Sequence, residues 1–305
     1  MPKVSAREAE EFESFRPRLF SLAYRLLGSA AEAEDAVQDA YLRWHAADRA
    51  AIETPAAWLT RVVTNLCLNR MASARVRREA YVGPWLPEPV MTEGARLGPM
   101  ESAEQREAVS MAMLLLLERL TPAERAAFVL REAFGHSHRE IAAVLEISEA
   151  GAQQLYHRAR ERVAEGRPRF RATRAEGRAI AERFLRAAAV GDLRSLESLL
   201  AADVAAWADG GGKSTAARRV IVGAAKVARY LGSWVENGAA EIGVAIGEIN
   251  GQPALYGVAE GRLLGVMVLE ITDGLVSTVR TVVNPDKLVH MSARLRSQGP
   301  STVSR

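Results

Sequence analysis

Apolar residues recur every three or four positions from Phe12 to about Arg78, the spacing of amphipathic helices. "FESFRPRLFSLAYRLLG" predicts a first helix that stops at Gly28. Ser29 and Glu32 form a capping-box pattern at the start of "AEAEDAVQDAYLRWHA", and Thr54 and Pro55 open "AAWLTRVVTNLCLNRMASARVRR". Prolines and glycines break the pattern over residues 80–108, which therefore reads as a partly extended linker. Within it, "WLPEP" places Trp85 and Leu86 before Pro87. Either this is a sticky segment that docks on a surface, or it is plain linker.

Helical spacing resumes at about residue 109, with capping boxes at Thr121 and Glu124 and again at Ser137 and Glu140. The second box opens a short helix, "REIAAVLE". A tight turn and the longer "EAGAQQLYHRARERV" follow, the outline of a helix-turn-helix. On that last helix Ala152, Tyr156, Ala159 and Val163 fall on one face, toward the core. Gln153, Gln154, His157 and Arg158 fall elsewhere. Glutamine can read adenine, and arginine can read guanine or hold phosphate, so the outer face suits a major groove; it equally suits water.

The period changes after the basic connector, residues 167–175. Two helices precede a strand-like "VAAWA", and a third precedes four apolar runs separated by "NGQ", "EG" and "TDG" turns. Turns this short dictate antiparallel pairing. Residues 176–290 are thus expected to form an α+β domain with helices packed on a curved antiparallel sheet, followed by a tail at 291–305. The fold class predicted for the whole is multidomain, two all-α domains followed by an α+β domain.

Composition narrows the function classes. The 305 residues suit two or three domains, and the hydrophobic share of 49% and charged share of 25% are ordinary for a globular protein. A lone Cys67 and the lack of any apolar run of membrane length predict a cytoplasmic chain with no metal site and no cofactor. The net charge of +3 hides a segregation. Residues 1–48 carry six basic against nine acidic side chains, whereas residues 153–174 carry seven arginines against two glutamates. The first pattern fits a basic partner, the second phosphate.

The "GGGKS" tract at Gly210, Gly211, Gly212, Lys213 and Ser214 ends like a phosphate-binding P-loop. Trp207 occupies the position of the first required glycine, and the residues after Lys213 do not read as a helix, so nucleotide hydrolysis is not expected. A flexible turn flanked by Asp209 and Lys213 remains.

The ordered set of helical unit, linker and helix-turn-helix resembles the bacterial extracytoplasmic-function (ECF) sigma factors. "AEDAVQDAYLRW" is similar to the part of region 2 that docks on the clamp helices of core RNA polymerase, and "PAAWLTRVVTNLCLNRMASARVRR" to the part that opens and reads promoter DNA. Residues 120–163 resemble region 4. "WLPEP", "DGGGK" and "NPDKL" are similar to the marks of a subgroup with a C-terminal SnoaL-like, NTF2-type domain that modulates the factor in place of a separate anti-sigma protein.

The resemblance implies region 2 over 1–79, region 4 over 109–166, and polymerase contacts from Glu32, Asp35, Gln38 and Asp39. It implies DNA contacts from Trp44, Trp58, Asn65, Asn69, Arg70, Arg75, Arg77 and Arg78, and from Gln153, Gln154, His157, Arg158, Arg160 and Arg162. The two tryptophans also suit a core. Asp209 to Lys213 and Asn284, Pro285, Asp286, Lys287 and Leu288 are implied to meet the linker at Trp85, Leu86 and Pro87.

Two other readings stand beside this one. The first is a helix-turn-helix regulator that works without polymerase. The second is a small-molecule-binding or isomerase domain fused to a sigma factor, with Asp209 as the one good acidic candidate, His290 poorly placed for a pocket base after the last strand, and Trp207, Tyr230 and Trp234 around a ligand.

Overall fold

The computed structural model describes residues 6–92, 107–166, 172–236 and 242–297. Of these, 6–79 and 112–166 form one compact unit, and 80–92, 107–111 and 172–297 form the other. Among the described residues the chain therefore leaves the helical unit after residue 79, is back in it over 112–166 and belongs to the second unit from 172. The segment set apart as a linker belongs, where described, to the second unit.

The helical unit begins with α1 (Ala6–Leu27), α2 (Ala30–Ala46) and α3 (Pro55–Glu79). Gly28 ends α1 with φ +68°, and the Ser29 hydroxyl accepts the Glu32 amide at 3.1 Å to start α2. Phe12, Phe20, Tyr24, Val37, Leu59 and Val63 fill the space between these helices and are buried. The second half comprises α4 (Met111–Leu117), α5 (Pro122–Glu132), α6 (His138–Leu145) and α7 (Glu149–Ala164). Both capping boxes form as the sequence predicts, and Glu146 in the left-handed region turns the chain between α6 and α7.

The two halves of this unit share buried charge. Arg125 of α5 is 2% exposed, donating Nε to the Arg25 carbonyl at 3.1 Å and Nη1 to Glu118 at 2.5 Å. Glu118 also pairs with Arg78 from the end of α3, whose Nη2 reaches the Leu27 carbonyl at 2.7 Å. Burial pushes the Arg125 guanidinium down to about 9 and that of Arg25 to about 10. These are expensive cations: Arg125 is held by the Glu118 carboxylate and the Arg25 carbonyl, and Arg25 by the carbonyl and hydroxyl of Ser21.

The second unit packs α8 (Arg174–Ala189), α9 (Leu193–Ser198) and α10 (Ala224–Glu236) on one face of a six-stranded sheet. Its strands are β1 (Leu200–Asp209), β2 (Ile221–Val222), β3 (Gly243–Ile249), β4 (Gln252–Ala259), β5 (Arg262–Thr272) and β6 (Leu275–Val282), in the order β2-β1-β6-β5-β4-β3. The three hairpins turn at Asn250-Gly251, Glu260-Gly261 and Asp273-Gly274. Both central residues have positive φ in each, the type I′ geometry that matches strand twist.

One expectation needs correction and one is extended. β1 pairs in parallel with β6, not antiparallel; the rule from short turns does not reach it, because β2, α10 and three strands separate the two in sequence. Residues 289–297, read as the domain's last residues and its tail, form a helix, α11 (Val289–Ser297), with Met291 buried.

Phe184, Leu196, Val227, Leu231, Leu269 and Val279 belong to one apolar cluster between helices and sheet. Tyr230 packs at its margin, Trp207 is half-buried on β1, and the Trp234 side chain lies outside the described residues. On the opposite sheet face, set by strand alternation, Glu270 and Arg280 form a buried ion pair.

Cys67 is fully buried on α3, and burial pushes its thiol up to about 12. Alkylation at pH 8 is therefore expected to be slower in the native chain than in denaturant by about a hundredfold or more. Equal rates in mass-spectrometric labelling would contradict this packing.

Candidate functional site

In the second unit β1 ends at Asp209, whose side chain is completely buried. Two consecutive amides, from Val283 and Asn284, donate to its carbonyl at 2.9 and 3.0 Å, which brings the start of "NPDKL" to the end of β1. Its carboxylate accepts the Tyr81 hydroxyl at 2.5 Å on Oδ1. On Oδ2 it accepts the Leu86 amide at 2.8 Å and the Lys287 ammonium at 2.6 Å. Lys287 sits on a 3₁₀ turn, Pro285–Leu288, and also donates to the Leu86 carbonyl at 2.6 Å. Its nitrogen lies 4.3 Å from the centre of the Trp85 ring and 4.7 Å from that of Tyr81, two cation–π contacts in a desolvated place.

The remaining motif residues support this cluster. Asn284 donates to the Tyr81 hydroxyl at 2.7 Å and accepts the Asp286 amide at 3.1 Å. Lys213 pairs with Asp286 at 2.5 Å on the surface. Gly211 has φ +58°, and a Cβ there would stand 2.2 Å from the Asn284 amide nitrogen and 2.9 Å from the Tyr81 oxygen. Only glycine fits. Leu86 and Pro87 are buried, as is Leu288, whereas Pro285 is exposed.

Tyr81 was not among the candidate residues. A single tyrosine before "VGPWLPEP" carries no pattern, and its role shows only when its oxygen meets Asp209. Its burial, then its bond to Asp209, raise the phenol above its ordinary range, so it stays a neutral donor.

A cleft of about 330 Å³ separates the turn Val82–Pro84 from the glycine loop, and Lys213 and Arg218 are among the residues that line it. No helix follows Lys213 before Ala224, so the loop has no P-loop geometry even though β1 has a parallel neighbour. Asp209 is sealed and carries three donors, and His290 lies on α11. The Asp209 carboxylate thus has no exposed surface at which to meet a ligand.

In the helical unit, Asp35 and Gln38 are exposed on α2, with Glu32 and Asp39 half-buried beside them. Arg70 of α3 bridges to this face, donating to Asp39 at 2.7 Å and to the Glu32 carbonyl at 2.7 Å. Asn65 is half-buried and Asn69 exposed, while the Arg75 and Arg77 side chains lie outside the described residues. Trp44, expected to contact DNA, is instead a core residue, 2% exposed and 5.7 Å from the half-buried Trp58 ring. Its helical spacing puts it on the buried face of α2 with Val37 and Ala40. Arg78, also expected on DNA, is taken up by Glu118 and the Leu27 carbonyl.

On α7, Gln153, Gln154, His157, Arg158, Arg160 and Arg162 are all exposed. Arg162 and Arg158 nevertheless reach the buried Glu124 of α5, at 2.6 and 3.7 Å, and brace the helix from its inner edge. Tyr156 bonds Glu132 at 2.6 Å and stacks on Phe128.

The buried and exposed pairs of the second unit should respond differently to substitution. Lys287→Met leaves Asp209 buried without its cation and is expected to cost about 3–5 kcal/mol, seen as a lower urea midpoint. Lys213→Met breaks only the exposed pair with Asp286 and is expected to cost less than about 1 kcal/mol. Equal midpoints for the two variants would contradict the assignment of Lys287 as the buried counter-ion.

Comparison with known proteins agrees with this arrangement. Residues 12–77 match the model for sigma-70 region 2 and residues 103–163 that for sigma-70 region 4. The chain is 39% identical over 309 residues to the ECF RNA polymerase sigma factor SigJ of Mycobacterium tuberculosis, covering 96% of this chain and 97% of that protein. It is 32% identical over 289 residues to the probable ECF RNA polymerase sigma factor SigI of the same species, covering 93% and 96%. The crystal structure of M. tuberculosis SigJ aligns with a TM-score of 0.71 at 35% identity, over 92% of this chain and 98% of that one. The chain belongs to the ECF RNA polymerase sigma factors.

Proposed function

We propose that this sigma factor is governed by its own α+β unit, which holds the segment connecting region 2 to region 4 in a docked state. The carrying observation is the buried Asp209–Lys287 pair, both of whose members bond the backbone of Leu86 in that segment. A factor that places one domain on each of two promoter elements needs slack between them. Residues 80–111 span about 110 Å when extended, and docking withdraws that slack.

Core RNA polymerase and promoter DNA are the partners this reading requires. Asp35 and Gln38, with the Glu32 and Asp39 edge, offer an acidic face for basic residues on the polymerase. Asn65 and Asn69, with Trp58 and the end of α3, are assigned to the opened promoter element. Gln153, Gln154 and His157 are assigned to base edges in the upstream element, and Arg158, Arg160 and Arg162 to phosphate. For a small-molecule ligand, the cleft beside the glycine loop is the place we assign, since apolar side chains fill the interior cluster.

The test is promoter-dependent transcription with purified core polymerase. Asp209→Asn removes the charge that holds Lys287 and Leu86 together, and transcription is expected to rise several-fold over the full natural chain. No initiation by either chain would contradict the sigma reading, and equal initiation would contradict governance by docking.

On upstream-element duplex, Gln153→Ala is expected to cost about 1–3 kcal/mol at one base position only, whereas Arg160→Ala is expected to weaken binding to all sequences and flatten its salt dependence. Uniform losses in both variants, measured by binding titrations on a substituted duplex series, would contradict the assignment of Gln153 to a base.

A further inference from the structure

The connecting segment meets the α+β unit a second time, far along the sheet from Asp209. Met91 forms an antiparallel bridge with Ile249 at the end of the edge strand β3. On either side of that bridge stand two buried polar side chains, Glu248 and Asn250, 5% and 0% exposed. The sequence marks Asn250 only as the first residue of the "NGQ" turn and Glu248 only as part of an apolar run.

Asn250 uses both ends of its amide. Its Oδ1 accepts the Val90 amide at 3.1 Å and its Nδ2 donates to the Val109 carbonyl at 2.9 Å, while its own backbone amide reaches the Val90 carbonyl at 2.9 Å. It therefore holds the outgoing and the returning arm of the segment at one point. Asparagine suits the place twice over. Its φ of +53° is a left-handed turn position that asparagine tolerates, and its amide is both acceptor and donor.

Glu248 reaches in two directions. Its Oε1 accepts the Thr92 hydroxyl at 2.8 Å, and its carbonyl accepts the Thr92 amide at 3.0 Å. Arg174, in the first turn of α8, grips the same carboxylate as a fork, Nε to Oε2 at 2.6 Å and Nη2 to Oε1 at 3.0 Å. The Glu248 side chain is 7% exposed and that of Arg174 57%, so the arginine supplies the counter-charge from the surface. Arg174 closes the 167–175 connector, the other passage between the two units.

We propose that Glu248 and Asn250 make the β3–β4 turn a second anchorage of the connecting segment, and that Glu248 couples it to the 174 end of the other connector, so that both are held or released together. They are positioning residues, acting through the segment they hold. Without Arg174, Glu248 is a buried carboxylate with no cation among the described residues, and the cost of that charge loosens its hold on Thr92. The consequence for transcription rests on the reading of docking given above, whereas the anchorage itself does not.

Three backbone amides each report one grip: Leu86 on Asp209, Val90 on Asn250, and Thr92 on Glu248. Hydrogen exchange at single-amide resolution on the full chain reads them separately. Arg174→Gln, at an exposed side chain, is expected to speed exchange at Thr92 by about tenfold or more while Leu86 is unchanged. Asn250→Asp keeps the acceptor for Val90 but turns a carboxylate toward the Val109 carbonyl, and is expected to speed Val90 and leave Leu86 unchanged. Arg174→Lys, which keeps the charge, is expected to restore part of the protection at Thr92.

Unchanged exchange at Thr92 in Arg174→Gln would overturn the coupling. Equal acceleration of all three amides would overturn the separate anchorage, since a general loss of stability explains it. If Thr92 alone is released and transcription does not rise, the anchorage stands and the proposal that docking governs the factor falls.

Discussion

A carboxylate with no exposed surface must find all its partners inside the protein, and Asp209 finds them in two stretches far from it in sequence. Lys287 supplies the counter-charge, Tyr81 a neutral donor, and Leu86 a backbone amide. That single requirement explains the other features nearby. Gly211 must lack a side chain so that Asn284 and Tyr81 can approach, and the two ring faces over Lys287 replace the water it gives up. A buried pair of this kind adds little net stability against an apolar substitute, but it fixes which partners may sit together. Specific docking of the connecting segment is therefore what the pair provides.

The helical unit solves a similar problem with the opposite sign. Arg125 and Arg25 are cations under protein, and burial lowers both. Glu118 takes up Arg125 together with Arg78, and carbonyls of Arg25 and Leu27 take up the remaining donors named above. Regions 2 and 4 are thus joined by charged groups whose satisfaction depends on each other. In both units a buried polar group that lost its partner while still buried would be costly, so the contacts hold as a set.

Most of the fold was legible because it rests on local rules. The capping boxes at Thr121 and Ser137, the stop at Gly28, and the three hairpin turns each depend on residues within four positions of one another. The parallel pairing of β1 with β6 was not, since no turn constrains strands so distant in sequence. Among site residues, the glycine loop and Asn284 to Leu288 were visible as motifs. Tyr81, Glu248, Asn250 and Arg174 were not, because their meaning lies in contacts across 74 to 160 positions. For Trp44 the resemblance implied a DNA contact while its helical spacing left a core place open, and its position on the buried face of α2 puts it in the core.

The central claim is that the connecting segment is docked in the free factor and released in the working one. The Leu86 amide, bonded to Asp209, is its direct reporter. Hydrogen exchange at that amide, compared between the free chain and an initiating complex with core RNA polymerase and promoter DNA, should show slow exchange in the first and fast exchange in the second. Protection of Leu86 that persists unchanged in a complex making transcript would contradict the account.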